Sequence, residues 1–237
     1  MLKLNTQKRL ISLIAVFSAI ELVLGVLVQV TSSRLNTIVS FLVVVLACGF
    51  VALMLARTRD YLFSQLGLLF TVFADLFLVV LEPMNREAGM VFFALAQICY
   101  FLKVYSLQDS KRLKNAHLIA RLSAIVVALL LTVIVLGDKT DFLSLISLFY
   151  YANLVTSIVF AFMSGKKMLV FAIGLTLFAM CDAVIGLSTM AELYISVTEG
   201  SLLYAIIHPG FNLAWIFYVP SQALIAISLA CDRLKKC

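Results

Sequence analysis

The stretch LGLLFTVFADLFLVVL (Leu66–Leu81) contains a single ionisable side chain, Asp75, among leucine, phenylalanine and valine. The rest of the chain is similar: 64% of its 237 residues are hydrophobic, 13% are charged, and the mean hydropathy is +1.13. A soluble domain is usually about 45–50% apolar. The composition therefore predicts one all-α, polytopic integral membrane domain over residues 1–237, in the cell membrane if the source is bacterial, with no soluble domain attached.

Apolar runs separated by short charged segments mark the membrane spans. A helix that crosses a bilayer needs about 20 mostly apolar residues, so the chain has room for about eight. The predicted spans 1 to 8 are Leu10–Val30, Leu35–Ala56, Tyr61–Leu81, Ala88–Tyr105, His117–Leu136, Phe142–Met163, Met168–Met190 and Ala205–Ala230. Span 1 follows basic residues as a signal peptide would. Its length favours a retained helix, although charge counting leaves a cleaved signal open.

Basic residues are concentrated on one side of these spans. Three, Arg34, Arg86 and Lys139, would lie on one side, and fifteen would lie on the other. The fifteen are Lys3, Lys8, Arg9, Arg57, Arg59, Lys103, Lys111, Arg112, Lys114, Arg121, Lys166, Lys167, Arg233, Lys235 and Lys236. Because loops rich in lysine and arginine stay in the cytoplasm, both termini are predicted to be cytoplasmic. No basic run is interleaved with aromatic residues, so we expect no nucleic-acid partner.

A weak internal repeat relates spans 3 and 4 to spans 7 and 8. GLLFTVFAD (Gly67–Asp75) aligns with GLTLFAMCD (Gly174–Asp182), and FFALAQ (Phe92–Gln97) aligns with FYVPSQ (Phe217–Gln222). With eight helices this indicates two halves in the same orientation, residues 1–110 and 111–237, as in transporters built from parallel repeats.

Three carboxylates, Glu21, Asp75 and Asp182, lie well inside spans that run outward. Each is about 11–14 residues from the cytoplasmic start of its span, and at about 1.5 Å per residue they share a depth. Gln97, Asn153 and Tyr218 fall in the same layer on spans that run the other way, and Gln222 lies on the same helical face as Tyr218. The shared depth predicts one polar cavity.

A charged side chain at the centre of a membrane helix costs about 2.5–3.5 kcal/mol on insertion scales. Two facing aspartates lower that cost by sharing one proton, an arrangement suited to general acid–base catalysis. The alternative is structural, since polar side chains also hold membrane helices together by hydrogen bonds. The five cysteines and two histidines show no metal-ligand spacing, and we expect no metal and no cofactor.

The chain resembles the YhhN-type family of eight-helix membrane proteins, which includes the lysoplasmalogenases. The resemblance lies in the two Gly-led runs that end in Asp75 and Asp182, in Phe92–Tyr100, and in the closing FYVPSQALIAISLA that begins at Phe217. Three positions depart from the family pattern: Ala74 replaces a glycine, Cys181 a serine and Gln97 a histidine.

The resemblance implies hydrolysis of the vinyl ether bond of a lysolipid, with Asp75 and Asp182 as the catalytic acid and base. Residues expected to bind or orient the substrate are Glu21, Gln97, Tyr100, Asn153, Tyr218 and Gln222. The expected partners are a lysolipid from the bilayer and membrane lipids, and no protein partner is implied. A proton-coupled transporter is the alternative, because intramembrane carboxylates also mark proton-coupled carriers. A non-catalytic lipid-binding membrane protein is a third possibility.

Overall fold

The computed structural model describes residues 2–31, 33–54, 58–193, 196–208 and 210–236. Over these residues the secondary structure is helical, without strands. The α-helices are α1 (Leu2–Val30), α2 (Ser33–Leu53), α3 (Arg59–Asp75), α4 (Arg86–Leu107), α5 (Lys111–Leu136), α6 (Phe142–Met163), α7 (Leu169–Leu193), α8 (Leu202–Ile207) and α9 (Leu213–Lys236).

Eight of the described helices are long and apolar enough to cross a membrane, which indicates a multi-pass integral membrane protein. They are α1 to α7, which correspond to spans 1 to 7, and α9, which corresponds to span 8. The predicted all-helical class is confirmed. The predicted end of span 2 at Ala56 lies outside the described residues.

The predicted start of span 8 at Ala205 is wrong. The short helix α8 ends at Ile207, and α9 begins only at Leu213. The Gln29 side chain of α1 fixes the break between them, because it accepts a hydrogen bond from the Asn212 amide at 2.9 Å and donates one to the Asn212 carbonyl at 3.0 Å. Hydropathy alone cannot detect such a break within an apolar region.

A π-helical turn follows Asp75 directly and occupies Leu76–Val80. Its hydrogen bond runs from the Leu81 amide to the Leu76 carbonyl, 3.0 Å away. Span 3 was predicted as one continuous helix, so this turn is a difference from the sequence prediction. Single π turns inside helices are rare and are frequent at functional sites.

Five helices form a ring in the order α3, α4, α6, α7 and α9. Within the ring, α3 packs most closely on α4 and α7 on α9, whereas α9 meets α3 only lightly. Helix α2 packs on both α3 and α9 where these two helices meet lightly. Helix α1 packs on α9 and α2, and α5 packs on α6 outside the ring. The buried core fills the ring and continues into the contacts with α1 and α2.

Two close contacts involve residues that the repeat alignment pairs with each other. A Cβ on Gly67 would lie 2.3 Å from the ring of Tyr100, and a Cβ on Gly174 would lie 3.0 Å from Ile225. The alignment pairs Gly67 with Gly174, and its extension along α4 and α9 pairs Tyr100 with Ile225. The matching contacts support the repeat, which stays a prediction, as does the orientation of the termini.

Two of the fifteen basic residues were wrongly counted as flanking charges. Lys103 and Arg121 lie inside α4 and α5 and are buried. Lys103 donates to the Ser228 hydroxyl at 3.1 Å and lies 3.9 Å from the ring centroid of Phe171. The positive-inside argument keeps thirteen of its fifteen residues.

Candidate functional site

Asp75 lies at the junction of α3 and the π turn, with only 3% of its surface exposed. The hydroxyl of Tyr218 on α9 donates a short hydrogen bond to its Oδ2. This bond connects α3 to α9 where the two helices make few backbone contacts. Tyr218 was predicted in the same layer as Asp75, and here the two side chains meet directly.

Asp182 lies on α7 and is partly buried. Its carboxyl interacts electrostatically with that of Asp75, and Cys181 lies near both aspartates. The hydroxyl of Tyr150 on α6 is close enough to interact with the Asp182 carboxyl. Oδ2 of Asp182 is buried without a hydrogen-bond partner among the described residues. The two aspartates therefore form one electrostatic unit with a tyrosine beside each.

Aromatic rings connect the two tyrosines across the ring of helices. Tyr150 packs on Phe93 with 5.9 Å between centroids, Phe93 meets Phe178 edge-on at 5.6 Å, and Phe178 meets Tyr218 edge-on at 5.8 Å. Trp215 continues the series at 5.0 Å from Tyr218. Edge-on and offset stacks of this kind fix the orientation of the rings.

Gln97 and Gln222 are fully buried one helical turn beyond Phe93 and Tyr218. Both polar atoms of the Gln97 amide lack a hydrogen-bond partner within the described part of the chain, and so does the Oε1 of Gln222. The Nε2 of Gln222 donates to Ser221 at 3.3 Å. Unpaired buried polar atoms are uncommon in folded proteins, and each calls for a specific explanation such as a ligand or water.

Tyr100, the next residue along the same face of α4, is fully buried and meets Phe171 edge-on at 5.6 Å. Its hydroxyl lies near Thr71 and interacts electrostatically with Asp75. The predicted substrate residues Gln97 and Tyr100 thus line one face of α4 below Phe93.

Glu21 lies on α1 with 2% of its surface exposed, and neither carboxyl oxygen has a partner among the described residues. On the same face of α1, Gly25 packs on Val219 of α9 and Phe17 stacks on Phe50 of α2. Glu21 therefore lies on the face of α1 that packs on these two helices. The contacts of the described residues do not connect it to Asp75 or Asp182.

Asn153 points its side chain toward α5. Its Oδ1 accepts a short hydrogen bond from Arg121, and its Nδ2 donates to the Phe149 carbonyl at 2.7 Å. Arg121 also donates to the Ser157 hydroxyl at 2.6 Å and lies 3.8 Å from the ring centroid of Phe101. The structure gives Asn153 a contact between helices, as the structural alternative predicts for polar residues in spans.

Sequence reasoning did not select Tyr150, Phe93 or Phe178 as site residues. Tyr150 lies three residues before Asn153 on the same helical face, which is a weak signal. The two phenylalanines cannot be distinguished from core residues by sequence. Among the described residues, no group of three or more His, Cys, Asp or Glu is placed to hold a metal ion.

Two clefts open at the ends of the helices nearest Asp75 and Asp182. One, of about 500 Å³, is lined by residues from Pro83 to Glu87 with Asp141 and Leu143. The other, of about 440 Å³, includes Ser188, Glu192, Tyr204 and His208. The ion pair between Arg86 and Glu192, 2.9 Å long, joins the residues of the two clefts.

The comparison with family models matches residues 10–229 to the YhhN family. Because the match covers nearly the whole chain, the protein belongs to the YhhN family. The comparison with curated proteins gave no match, and neither did the comparison with solved structures.

Proposed function

We propose that this member of the YhhN family is an integral membrane hydrolase that cleaves the vinyl ether bond of lysoplasmalogens. The observation that carries the proposal is that Asp75 and Asp182 lie near enough for their carboxyls to interact electrostatically inside a membrane-spanning bundle. Two neighbouring carboxyls inside an apolar bundle favour a state with one proton between them, which provides an acid and a base in one site. The resemblance to lysoplasmalogenases implies the same chemistry.

The reaction needs one proton donor and one base. The protonated aspartate transfers its proton to the alkene carbon that does not bear oxygen, which leaves an oxocarbenium ion and two carboxylates. The carboxylates stabilise this cation as carboxylates do in glycoside hydrolysis. Water adds to the cationic carbon and gives a proton back to one carboxylate. The hemiacetal then collapses to a fatty aldehyde and a glycerophospho-alcohol, and the site returns to its initial protonation state.

Neighbouring residues have positioning roles in this proposal. Tyr218 holds Asp75 through its hydrogen bond, and the unpaired amide of Gln97 and the unpaired Oε1 of Gln222 bind the attacking water or the glycerol oxygens. Tyr100 closes the site below Gln97. We leave Asn153 out of the substrate contacts because Arg121 occupies its side chain. The lipid reaches the site from the bilayer, with its headgroup near the two clefts and its single chain among the phenylalanines.

Asparagine substitutions test the acid–base roles. Asp75→Asn and Asp182→Asn keep size and an acceptor oxygen but remove the titratable proton, so each should lower fatty aldehyde release by about 10²-fold or more. The double variant should lose little more than either single variant, because the pair acts as a unit. The assay uses purified protein in detergent with a lysoplasmalogen.

The control for this test is Glu21→Gln, which should have a milder effect because Glu21 has no described contact with either aspartate. Expression and thermal unfolding should stay near wild type for all these variants. Normal aldehyde release from folded Asp75→Asn protein would contradict its catalytic role. A purely structural role predicts poor expression with normal specific activity in the protein that folds.

A proton-coupled transporter is the second candidate, and one observation favours it. Buried polar groups continue from Asp75 through Gln97 and Tyr100 to the contact of Lys103 with Ser228, toward the other end of the bundle. Such a column suits proton movement along the bundle. Proteoliposomes distinguish the two functions: a carrier acidifies or alkalinises the lumen when substrate is added, whereas the hydrolase releases aldehyde without a pH gradient.

A further inference from the structure

Each of the two aspartates has a tyrosine beside it, but the internal repeat does not align these two tyrosines with each other. Tyr218, which donates to Asp75, comes from α9, and Tyr150, beside Asp182, comes from α6. The alignment of Phe92–Gln97 with Phe217–Gln222 pairs Tyr218 with Phe93 of α4. Phe93 has no hydroxyl, so it cannot donate a hydrogen bond to Asp182 as Tyr218 does to Asp75.

Tyr150 lies where it can supply that missing donor. Its ring packs on the Phe93 ring at 5.9 Å, and Phe93 in turn contacts Phe178, one turn before Asp182 on α7. Helix α6 packs on both α4 and α7, so Tyr150 comes from a helix that lies between those that carry Phe93 and Asp182. Tyr150 is 4% exposed, so water offers its hydroxyl little competition.

We propose that Tyr150 is the positioning residue of Asp182: its hydroxyl holds one carboxyl oxygen and replaces the tyrosine that the repeat lacks at Phe93. Oδ2, buried without a partner, is then the oxygen that carries the proton. Tyr150 itself transfers no proton and touches no reacting atom. This inference rests on the proposed function for its effect on rate, but the contact with Asp182 is tested separately.

The positioning role matters because proton transfer to carbon requires the acid to point at the alkene. A carboxyl held at one oxygen has its other oxygen fixed in direction, whereas a free carboxyl samples several orientations. Removing the hydroxyl should therefore lower kcat more than it changes KM, since Tyr150 contacts Asp182 rather than the substrate.

The experiment compares Tyr150→Phe with the double variant Phe93→Tyr/Tyr150→Phe, and uses Tyr105→Phe on α4 as the matched control. Tyr150→Phe should lower kcat by about 10- to 100-fold, the range expected for one hydrogen bond to a carboxyl that becomes charged as it gives up its proton. The double variant should recover most of the lost rate, because the hydroxyl returns from the position equivalent to Tyr218. Tyr105→Phe should leave the rate unchanged.

Difference infrared spectroscopy gives a readout that does not depend on turnover. The carboxyl bands of Asp182 are those that disappear in Asp182→Asn. They should shift in Tyr150→Phe, return in the double variant and stay unchanged in Tyr105→Phe. Phe93→Tyr alone, which leaves Tyr150 in place, should also shift them because a second hydroxyl reaches the carboxyl.

The proposal would be overturned if the Asp182 bands were unchanged in Tyr150→Phe. If Tyr150→Phe does not fold, unchanged Asp182 bands in Phe93→Tyr would overturn it. A lowered rate with unchanged bands would also overturn it, since it would show a structural effect. If wild-type protein releases no aldehyde, the proposed hydrolase function fails, while the infrared shift still decides whether Tyr150 holds Asp182.

Discussion

Gly67 determines how closely α3 approaches α4 beneath the two aspartates. A Cβ there would lie 2.3 Å from a ring carbon of Tyr100, and the Tyr100 side chain is fully buried. Gly67 lies two turns before Asp75, so its contact with Tyr100 sets the height and rotation of Asp75 against α4.

Gly67→Ala should therefore destabilise the protein. Overpacking a tight contact costs about 1–3 kcal/mol, which exceeds the gain of about 0.5–1 kcal/mol from replacing glycine by alanine in a helix. Thermal unfolding in detergent should show a lower melting temperature.

Gly186→Ala on α7 is the matched control, because a Cβ there meets no atom within 4 Å. Its melting temperature should be unchanged or higher. Equal shifts in the two variants would show that the contact with Tyr100 does not limit the approach of the helices.

At the scale of elements, hydropathy predicted spans 1 to 7 but not the details that build the site. It succeeded because contact with lipid requires an apolar surface over the whole length of a span. It did not detect the π turn at Leu76–Val80 because that turn adds no polar residue. A close contact stabilises it instead: Leu78 of the turn lies against Gly89 of α4, where a Cβ would be 2.4 Å away.

Helix α5 has few neighbours that could hold it in place, because it packs almost entirely on α6 and exposes most of its surface. Arg121 attaches it through hydrogen bonds to Asn153 and Ser157 and through the ring of Phe101. Sequence placed this arginine at a membrane surface because its position near the start of span 5 resembles a flanking charge. Which face of α5 it occupies, and what lies opposite, depends on packing that the sequence does not specify.

Arg121→Met should destabilise the protein by about 1–3 kcal/mol, because it removes the donor of a buried network and leaves the Asn153 oxygen unpaired. Adding Asn153→Leu should recover part of the loss, since both partners are then apolar. The measurement is unfolding in detergent, with Arg112→Met at the exposed start of α5 as the control that should change little. Strictly additive losses in the double variant would contradict the direct contact between Arg121 and Asn153.

At the scale of the whole molecule, the ring of five helices explains which site residues sequence could predict. Residue counting predicted one depth for Asp75, Asp182 and Tyr218, because a helix converts sequence position into height at a fixed rise. The hydrogen bond from Tyr218 to Asp75 agrees with that prediction. Residue counting did not give direction around the ring, so it grouped Asn153 with the site although that side chain points to α5. It gave Tyr150 no site role, because the role proposed for Tyr150 depends on α6 packing between α4 and α7.

The orientation of the whole bundle remains a prediction from the basic residues other than the buried Lys103 and Arg121. Lys111 and Lys139 lie at opposite ends of the α5 region and are both exposed, so they test it directly. In a background without the five native cysteines, Lys139→Cys should react with a membrane-impermeant maleimide in intact cells. Lys111→Cys should react only after permeabilisation, because loops rich in lysine and arginine stay in the cytoplasm. Labelling of both positions from outside would contradict the membrane crossing by α5, and labelling of Lys111→Cys alone would reverse the bundle.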